Sequence, residues 1–302
     1  MVIEPIFEKE FISSSYGFRP KRSCKDALRE VDGLIKEGYN WVVDADIASY
    51  FDSIPHSTMI ERVEERISDG RIIDLLRIFV ENDIIENTNK WTPTRGTPQG
   101  AVISPLLANI YLHPLDKLLS EQNIKIVRFA DDFVVLCKSQ QEALAALTLV
   151  SEWVENNGLT LHPDKTSLGN CSQRGQGFEF LGYLFENGKR FVRKKSVNAL
   201  RDKIRQYTRR TNNKSVSNII KTLNPVLLGW FNYFKHARPW IYKAIDGFVR
   251  RRLRSILRKY QKKRHGTGRC YADHKKWNNN FFTNHGLFTM HEARLDLVSQ
   301  SR

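Results

Sequence analysis

The stretch that decides the fold is IKIVRFADDFVVLC, residues 124–137. Two apolar runs, Ile124–Phe129 and Phe133–Cys137, flank Ala130-Asp131-Asp132. Each run has the length and the β-branched and aromatic content of a strand, so the pair reads as a β-hairpin with acids at its tip. An Asp-Asp pair alone is a common turn former. Here the apolar flanks bury the strands and force both carboxylates to the end of the hairpin.

Working outward, Ser104–Ser120 places Leu106, Leu107, Ile110, Tyr111, Leu115, Leu118 and Leu119 on one helical stripe, with Pro105 suited to the first turn. The segment Trp91–Gly100 (WTPTRGTPQG) is Pro- and Gly-rich and reads as a loop. Before it lie helical stretches at about 57–68 and 72–83. Trp41–Ile47 (WVVDADI) reads as a strand carrying Asp46 near its end, and Asp26–Lys36 as an amphipathic helix ended by Gly38. On the other side, Gln141–Asn156 reads as a helix stopped at Asn157-Gly158. Phe178–Phe185 and Arg190–Arg193 then read as a second hairpin, turned at Glu186-Asn187-Gly188-Lys189.

The composition changes near residue 189. Between Lys189 and Arg264 roughly two dozen Lys and Arg face only Asp202 and Asp246, a density that reads as a polyanion-binding surface. Helical periodicity covers Val197–Tyr207, Val216–Phe234 and Ile241–Tyr260. Arg250, Arg251, Arg252 and Arg254 recur along the last of these, opposite Leu253, Ile256 and Leu257, and are candidates to bind phosphates. The bland alternative is a solvated amphipathic face. Residues from His265 onward give weak signals.

The whole chain agrees with this division. Its 302 residues suit about two domains. A net charge of +15 asks for a polyanionic partner. Four cysteines without a CxxC pair imply a reducing compartment, and Cys270, His274 and His285 match no common zinc spacing. No run approaches the ~18 apolar residues of a membrane span, and the start lacks the features of a signal peptide, so a cytoplasmic location is expected.

The chemistry follows from the acids. Asp46, Asp131 and Asp132, if brought together, repel one another and raise each other's pKa. A divalent cation relieves that repulsion, and hard carboxylate oxygens suit Mg²⁺. Two such ions roughly 3.5–4 Å apart serve in-line displacement at phosphorus.

The ordered segments YGFRPKRS (16–23), DIASYFDSI (46–54), GTPQGAVISPLLANIYL (96–112), RFADDFVVL (128–136), LHPDKT (161–166) and FLGY (180–183) resemble the successive boxes of group II intron reverse transcriptases. LNPVLLGWFNYF (223–234) resembles their maturase, or thumb, signature. The resemblance implies an α+β fold. A palm with a small antiparallel sheet backed by helices would span 41–189, including finger-like helices at 57–95. Partial fingers would precede it at 1–40, an all-α basic thumb or maturase domain would follow at 190–265, and a tail would fill 266–302. It further implies an RNA-directed DNA polymerase that adds dNTPs to a DNA primer on an RNA template, with two Mg²⁺ ions and with binding of intron RNA.

Carried over position by position, the resemblance makes Asp46, the Ile47 carbonyl, Asp131 and Asp132 the metal ligands. It puts Phe51 under the sugar ring, Gln99 against the incoming nucleotide, Lys165 near its phosphates and Gly182 in the primer-grip hairpin. From the residues alone, Phe51 also fits plain core, Gln99 a loop residue, Lys165 a surface cation and Gly182 a bulge. Asp52 fits a turn role as well as a catalytic one. Arg19 and Arg22 could hold template or triphosphate, or be surface charge.

Three departures bear on function. The family's fingers region ahead of YGFRP is missing, so an N-terminally truncated chain is expected. Residues after 265 resemble no part of the family's HNH endonuclease domain, so a chain without that domain is expected. Phe129 stands where tyrosine is usual, and Ala101 where a second glycine is common. Two other functions stay open: a splicing cofactor that binds RNA without polymerising, and a reverse transcriptase recruited to phage defence.

Overall fold

The computed structural model describes residues 2–81, 84–86, 89–91, 94–97, 101–211, 214–261 and 270–300. The chain divides into two compact units. The first is Met1–Leu181 with Phe185–Gly188, and the second is Gly182–Leu184 with Lys189–Arg302.

In the first unit the elements run α1 (Glu4–Glu8), α2 (Cys24–Lys36), β1 (Trp41–Ala45), α3 (Tyr50–Ser53), α4 (His56–Glu64), α5 (Gly70–Val80), β2 (Ile84–Glu86), β3 (Asn89–Trp91), α6 (Ser104–Glu121), β4 (Lys125–Phe129), β5 (Asp132–Cys137), α7 (Gln140–Asn156), β6 (Ser167–Asn170) and β7 (Phe178–Phe180). Four strands form one antiparallel sheet in the order β4-β5-β1-β6. β5 is its most buried strand, with every residue from Phe133 to Cys137 sequestered. Helix α7 packs on β1 and β5, and α6 on β4, while β7 meets β1 and β5. That cover explains why the β5 sequence is a continuous apolar run rather than an alternating one. The neighbouring helices start where capping chemistry says they should. Ser23 and Asp26 close a capping box on α2, with Ser23 N donating to Asp26 Oδ2 (3.0 Å). Ser139 Oγ accepts from Glu142 N (3.2 Å) at the start of α7.

Three features depart from the sequence reading. The α5 helix stops at Val80, and a short hairpin β2–β3 follows, with Ile84 opposite Trp91, in a stretch where the sequence reading has no strand, between the helix read to about 83 and the loop read from Trp91. Strands of three residues are too short to leave a periodic pattern. β6 was also invisible: Ser-Leu-Gly-Asn carries no apolar alternation, because an edge strand here joins β1 through backbone bonds. Finally, FEFLGYLF is not one strand. Leu181 (φ +47°) and Gly182 (φ +83°) turn the chain between β7 and β8 (Tyr183–Glu186), and Asn187 (φ +49°) and Gly188 (φ +63°) turn it again into β9 (Lys189–Val192). Both are two-residue turns with positive φ at each position, the geometry that Asn-Gly favours.

The second unit is helical: α8 (Lys194–Tyr207), α9 (Val216–Phe234), α10 (Trp240–Tyr260), α11 (Tyr271–Lys276), α12 (Asn279–Asn284) and α13 (Met290–Gln300). Ile204, Leu223, Ile245, Val249 and Leu253 form its core, and Trp277, Phe282 and Met290 belong to the same cluster. The segment expected as a tail therefore helps to build this core. Asp246, a buried acid in a basic unit, accepts from Met290 N (3.1 Å) and His291 N (2.9 Å) and so caps α13. Burial raises its carboxyl pKa. No described helix is long and apolar enough to cross a membrane.

Candidate active site

The site begins with strand register. Phe129 pairs with Asp132, which leaves Ala130 and Asp131 as a two-residue turn between β4 and β5. Ala130 takes φ +61°, a left-handed conformation that costs an L-residue energy and is kept only where neighbours enforce it. On the other edge of β5, Ala45 pairs with Phe133, so the next step along β1 brings Asp46 to the level of Asp132. Asp46 and Asp131 are half-buried, and Asp132 is exposed.

The carboxylates crowd one another. The Asp131 carboxyl is pushed up, first by burial and further by the nearby charge of Asp46. Asp44, two residues back along β1, is pushed up to about 7 by burial and then by Asp132 and Asp46. One cation is already at hand: Lys165 Nζ lies 2.5 Å from Asp46 Oδ2. The loop that brings it is tied to β1's extension. His162 N donates to Asp46 O (2.7 Å) and Ala48 N to Thr160 O (2.8 Å), with Ile47 opposite Leu161. Since residues 46 and 48 bond to that side, the N–H and C=O of Ile47 face the opposite edge, where β5 lies. The Ile47 side chain itself is buried.

Among the described residues no three acidic, His or Cys side chains close on a common point. The donor set nevertheless fits a hard divalent cation. It consists of carboxylate oxygens whose repulsion such an ion would relieve, and the ammonium of Lys165 now neutralises one of them.

Behind the turn lies a network that sequence reasoning missed. Arg128 is fully buried. Its Nε and Nη2 donate to the two oxygens of Asp116 (2.8 and 2.5 Å), itself fully buried. Its Nη1 donates to Asn109 Oδ1 (2.8 Å) and to Ala130 O (2.9 Å). Asn109 Nδ2 in turn donates to Gly17 O (2.8 Å). Gly17 is pressed against the turn: a Cβ there would fall 2.1 Å from Ala130 N. The signal that could have found this network was the charge in the middle of IVRF, at a position where the strand pattern demands burial.

The remaining candidates sort as follows. Phe51 is partly buried against the core, edge-on to Tyr50, and its carbonyl accepts from Thr97 N (2.7 Å). The loop before Pro98 thus rests on the Phe51 turn, and Gly96 (φ +94°) packs 3.1 Å from Asp52 O, measured from where a Cβ would be. Gln99 lies outside the described residues. Arg19 is corrected. Only 7% exposed, it is forked on Glu8 (Nε at 3.0 Å, Nη2 at 2.8 Å) and donates through Nη1 to Ile12 O and Ser15 O. Its guanidinium is a structural clamp on Glu8 and the 12–15 backbone and not a surface charge. Arg22 stacks over Tyr16 and donates to Ser13 O. Gly182 sits in its tight turn, where its carbonyl accepts from Arg193 N (3.0 Å) and a Cβ would press on Phe234 (3.3 Å).

In the second unit the arginines of α10 do not form a common phosphate face. Arg254 is buried, with Nε donating to Trp277 O (2.8 Å) and its guanidinium over Phe282. Arg252 is turned to Thr208, donating to its Oγ1 (3.0 Å) and its carbonyl (2.8 Å). Arg254 is thus an internal brace, and Arg252 is anchored on Thr208 at the margin of the surface. Arg250 and Arg251 are half-buried, with Arg251 over Phe248. Among the exposed cations of the second unit, Lys203, Arg205 and Arg209, from α8 and its C-terminal end, line a cleft of about 520 Å³ with Arg252.

Known proteins resemble this chain over both units. Residues 1–185 match the family described as Reverse transcriptase (RNA-dependent DNA polymerase), and residues 197–273 match Group II intron, maturase-specific domain. Protein YkfC of Escherichia coli (strain K12) is 31% identical over 65% of this chain and 59% of its own length. The group II intron-encoded protein LtrA of Lactococcus lactis subsp. cremoris is 40% identical over 42% of this chain, and the match spans 21% of LtrA. The chain thus spans less than two thirds of the relatives it matches. Among solved structures, telomerase from Candida albicans, in complex with a fragment of telomeric RNA, superposes with a TM-score of 0.51 at 13% identity, over 83% of this chain and 51% of that one. That likeness is one of fold.

Proposed function

The chain belongs to the reverse transcriptase family and carries a group II intron maturase-specific domain, and from that premise we propose that it is an RNA-directed DNA polymerase of the intron-encoded type. The observation that carries the proposal is the register of β1 on the β4–β5 hairpin, which sets Asp46 level with Asp132, one residue from Asp131, with Lys165 paired to Asp46. In this reading residues 41–189 are the palm, 1–40 belong to the fingers, and 190–265 are the thumb.

Each residue then has a task. Asp46, Asp131 and Asp132, with the Ile47 carbonyl, hold two Mg²⁺ ions. When bound, these ions lower the pKa of a primer 3′-hydroxyl and stabilise the leaving oxygen of a dNTP. Lys165 leaves Asp46 and turns its ammonium to the triphosphate, where it meets negative charge again. Phe51 lies where a ring would exclude a 2′-hydroxyl, and Gln99 meets the incoming nucleotide. The basic second unit binds RNA, both the template and a folded intron whose splicing it assists.

The direct test is primer extension on an RNA template with dNTPs and Mg²⁺, wild type beside Asp131→Ala. Extension by the wild type that disappears in the variant supports polymerisation, and equal extension by both refutes the assignment of the site.

A second reading, an RNA-binding splicing cofactor that does not polymerise, is favoured by one observation. Residues 189–302 hold 29 Lys and Arg against 5 Asp and Glu, whatever the first unit does. Tight, salt-sensitive RNA binding without extension by the wild type would select it.

A further inference from the structure

Arg128 and Asp116 take no part in the chemistry described above, yet the Arg128 fork ends on the catalytic turn. Pairing with Asp116 uses Nε and Nη2, which already form a bidentate ion pair. The remaining nitrogen, Nη1, is not needed for charge neutralisation. It bridges Asn109 Oδ1 and the carbonyl of Ala130, the residue held at φ +61°. Asn109 is fixed at both ends, because its Nδ2 donates to Gly17 O and Gly17 in turn abuts Ala130 N. A left-handed alanine is not adopted without constraint. Here the constraint comes from two sides: the guanidinium grips its carbonyl, and the Tyr16–Phe18 loop closes on its nitrogen. The loop is itself registered on the same strand, since Tyr16 N donates to Arg128 O (2.8 Å) and Arg128 N to Ser14 O (3.0 Å).

We propose that Arg128 and Asn109 are positioning residues for the metal-binding turn. They hold the Ala130 peptide in its left-handed conformation, and so fix the direction in which Asp131 and Asp132 leave the hairpin and the affinity of the site for a divalent cation. The inference rests on the polymerase reading for the identity of the ligand set, but not on turnover. It concerns residues that never touch substrate. Lysine cannot replace the arginine, because an ammonium has no planar fork with which to serve Asp116 and Ala130 at once.

The test uses Mn²⁺ alone as probe, bound to the full chain and titrated by electron paramagnetic resonance, with thermal unfolding measured on the same samples. Arg128→Leu by itself would leave Asp116 buried without its cation and unfold the site. Asn109→Leu cuts the links to Gly17 and Arg128 while sparing the ion pair. The double variant Arg128→Leu/Asp116→Leu removes both charges at similar volume. Both variants are expected to melt within a few degrees of the wild type and to bind Mn²⁺ ~10-fold or more weakly, the range found when groups behind a metal ligand are removed. Arg128→Lys should fall between. In primer extension the Mg²⁺ concentration for half-maximal rate should rise while the KM for dNTP stays put.

Wild-type Mn²⁺ affinity in both variants, with unchanged melting, overturns the proposal. So does weakened binding that merely tracks a lost cooperative melt in both. The two readings fail separately. A wild type that binds Mn²⁺ through Asp131, loses it in the network variants, and extends no primer sinks the polymerase assignment and supports the positioning role. A wild type that extends primers, with variants that match it in every readout, sinks the positioning role alone.

Discussion

Residues 1–188 carry 19 Lys and Arg against 28 Asp and Glu, whereas residues 189–302 carry 29 against 5. The first stretch is therefore net −9 and the second +24, and together they make the +15 of the chain. A nucleic acid would be repelled by one and drawn by the other. In the proposed function, the difference means that affinity and chemistry are built apart. There the acidic unit sets four of its acids, Asp44, Asp46, Asp131 and Asp132, near enough to feel one another. In the same reading the basic unit supplies the sequence-independent attraction for phosphate. A net-charge argument made on the whole chain hides this division.

The sharpest way to test the separation is to remove one function and keep the other. Asp131→Ala should reduce primer extension by ~10³-fold or more, the scale of losing a group that stabilises charge developing in the transition state. RNA binding by the same variant, measured by filter retention, should stay within about twofold, because phosphate contacts carry that affinity. A large loss of RNA binding would mean that the acidic unit and its metals hold the RNA, and the comparison would fail.

Gly17→Ala tests whether the acidic unit's turn depends on close backbone approach. The added Cβ would fall 2.1 Å from Ala130 N and 2.8 Å from Phe129 C, both backbone atoms of the hairpin. Something must shift, at a cost of about 1–3 kcal/mol for overpacking. Thermal melts should show a fall of several degrees, with extension lost more steeply than stability because the shift moves Asp131 directly. A variant as stable and active as the wild type would mean that the loop and turn separate freely.

Within the basic unit the structure divides arginines that look alike in sequence. Arg205→Gln with Arg209→Gln removes two exposed charges beside the α8 cleft. RNA affinity should drop roughly tenfold at physiological salt, and the slope of log affinity against log salt should shrink by about 1.4–1.8, at 0.7–0.9 per phosphate contact. Arg254→Gln should leave that slope unchanged and lower the melting temperature, since its guanidinium braces Trp277 O inside the core. If Arg254 instead controls the slope, the buried placement is not the one that binds RNA.

These distinctions show what a sequence reveals. The hairpin at 124–137 was legible because two apolar runs around two acids have few other solutions, and the long helices because seven or more residues repeat one period. The ion pair of Lys165 with Asp46 was not legible: the resemblance put Lys165 near the nucleotide's phosphates, and local patterns do not span the 119 residues between the two. Arg252 and Arg254 were misplaced for a physical reason. A triple arginine reads as surface, but helical geometry turns successive residues by about 100° and sends some of them inward, where Thr208 and Trp277 carbonyls satisfy them. Arg19 misled in the same way: nothing local in YGFRP announces Glu8 eleven residues earlier. In each case the charge was visible and its partner was not.

The smallest expected effect concerns the charge that the acidic unit stores. Asp44 sits between burial and the charges of Asp132 and Asp46, which together push its pKa up to about 7. The folded chain therefore holds a proton there that the unfolded chain, with a pKa of 3.8, releases far earlier. The stability this proton confers is complete below about pH 4, and it is lost as pH rises through about 7. Asp44→Asn should then match the wild type at pH 4 and gain on it steadily up to pH 7, with a plateau above. The gain at pH 8 should be about 1 kcal/mol, below the full linkage value because the carboxylate keeps some contact with water. Differential scanning fluorimetry across pH 4–8, without divalent ions, would show it as a widening gap in Tm. Added Mg²⁺ should narrow the gap by neutralising Asp46 and Asp132, the two charges that make ionisation of Asp44 costly. A gap that ignores both pH and Mg²⁺ would mean that Asp44 does not feel those acids, and that the negative charge of the first unit is spread over its surface rather than gathered at one site.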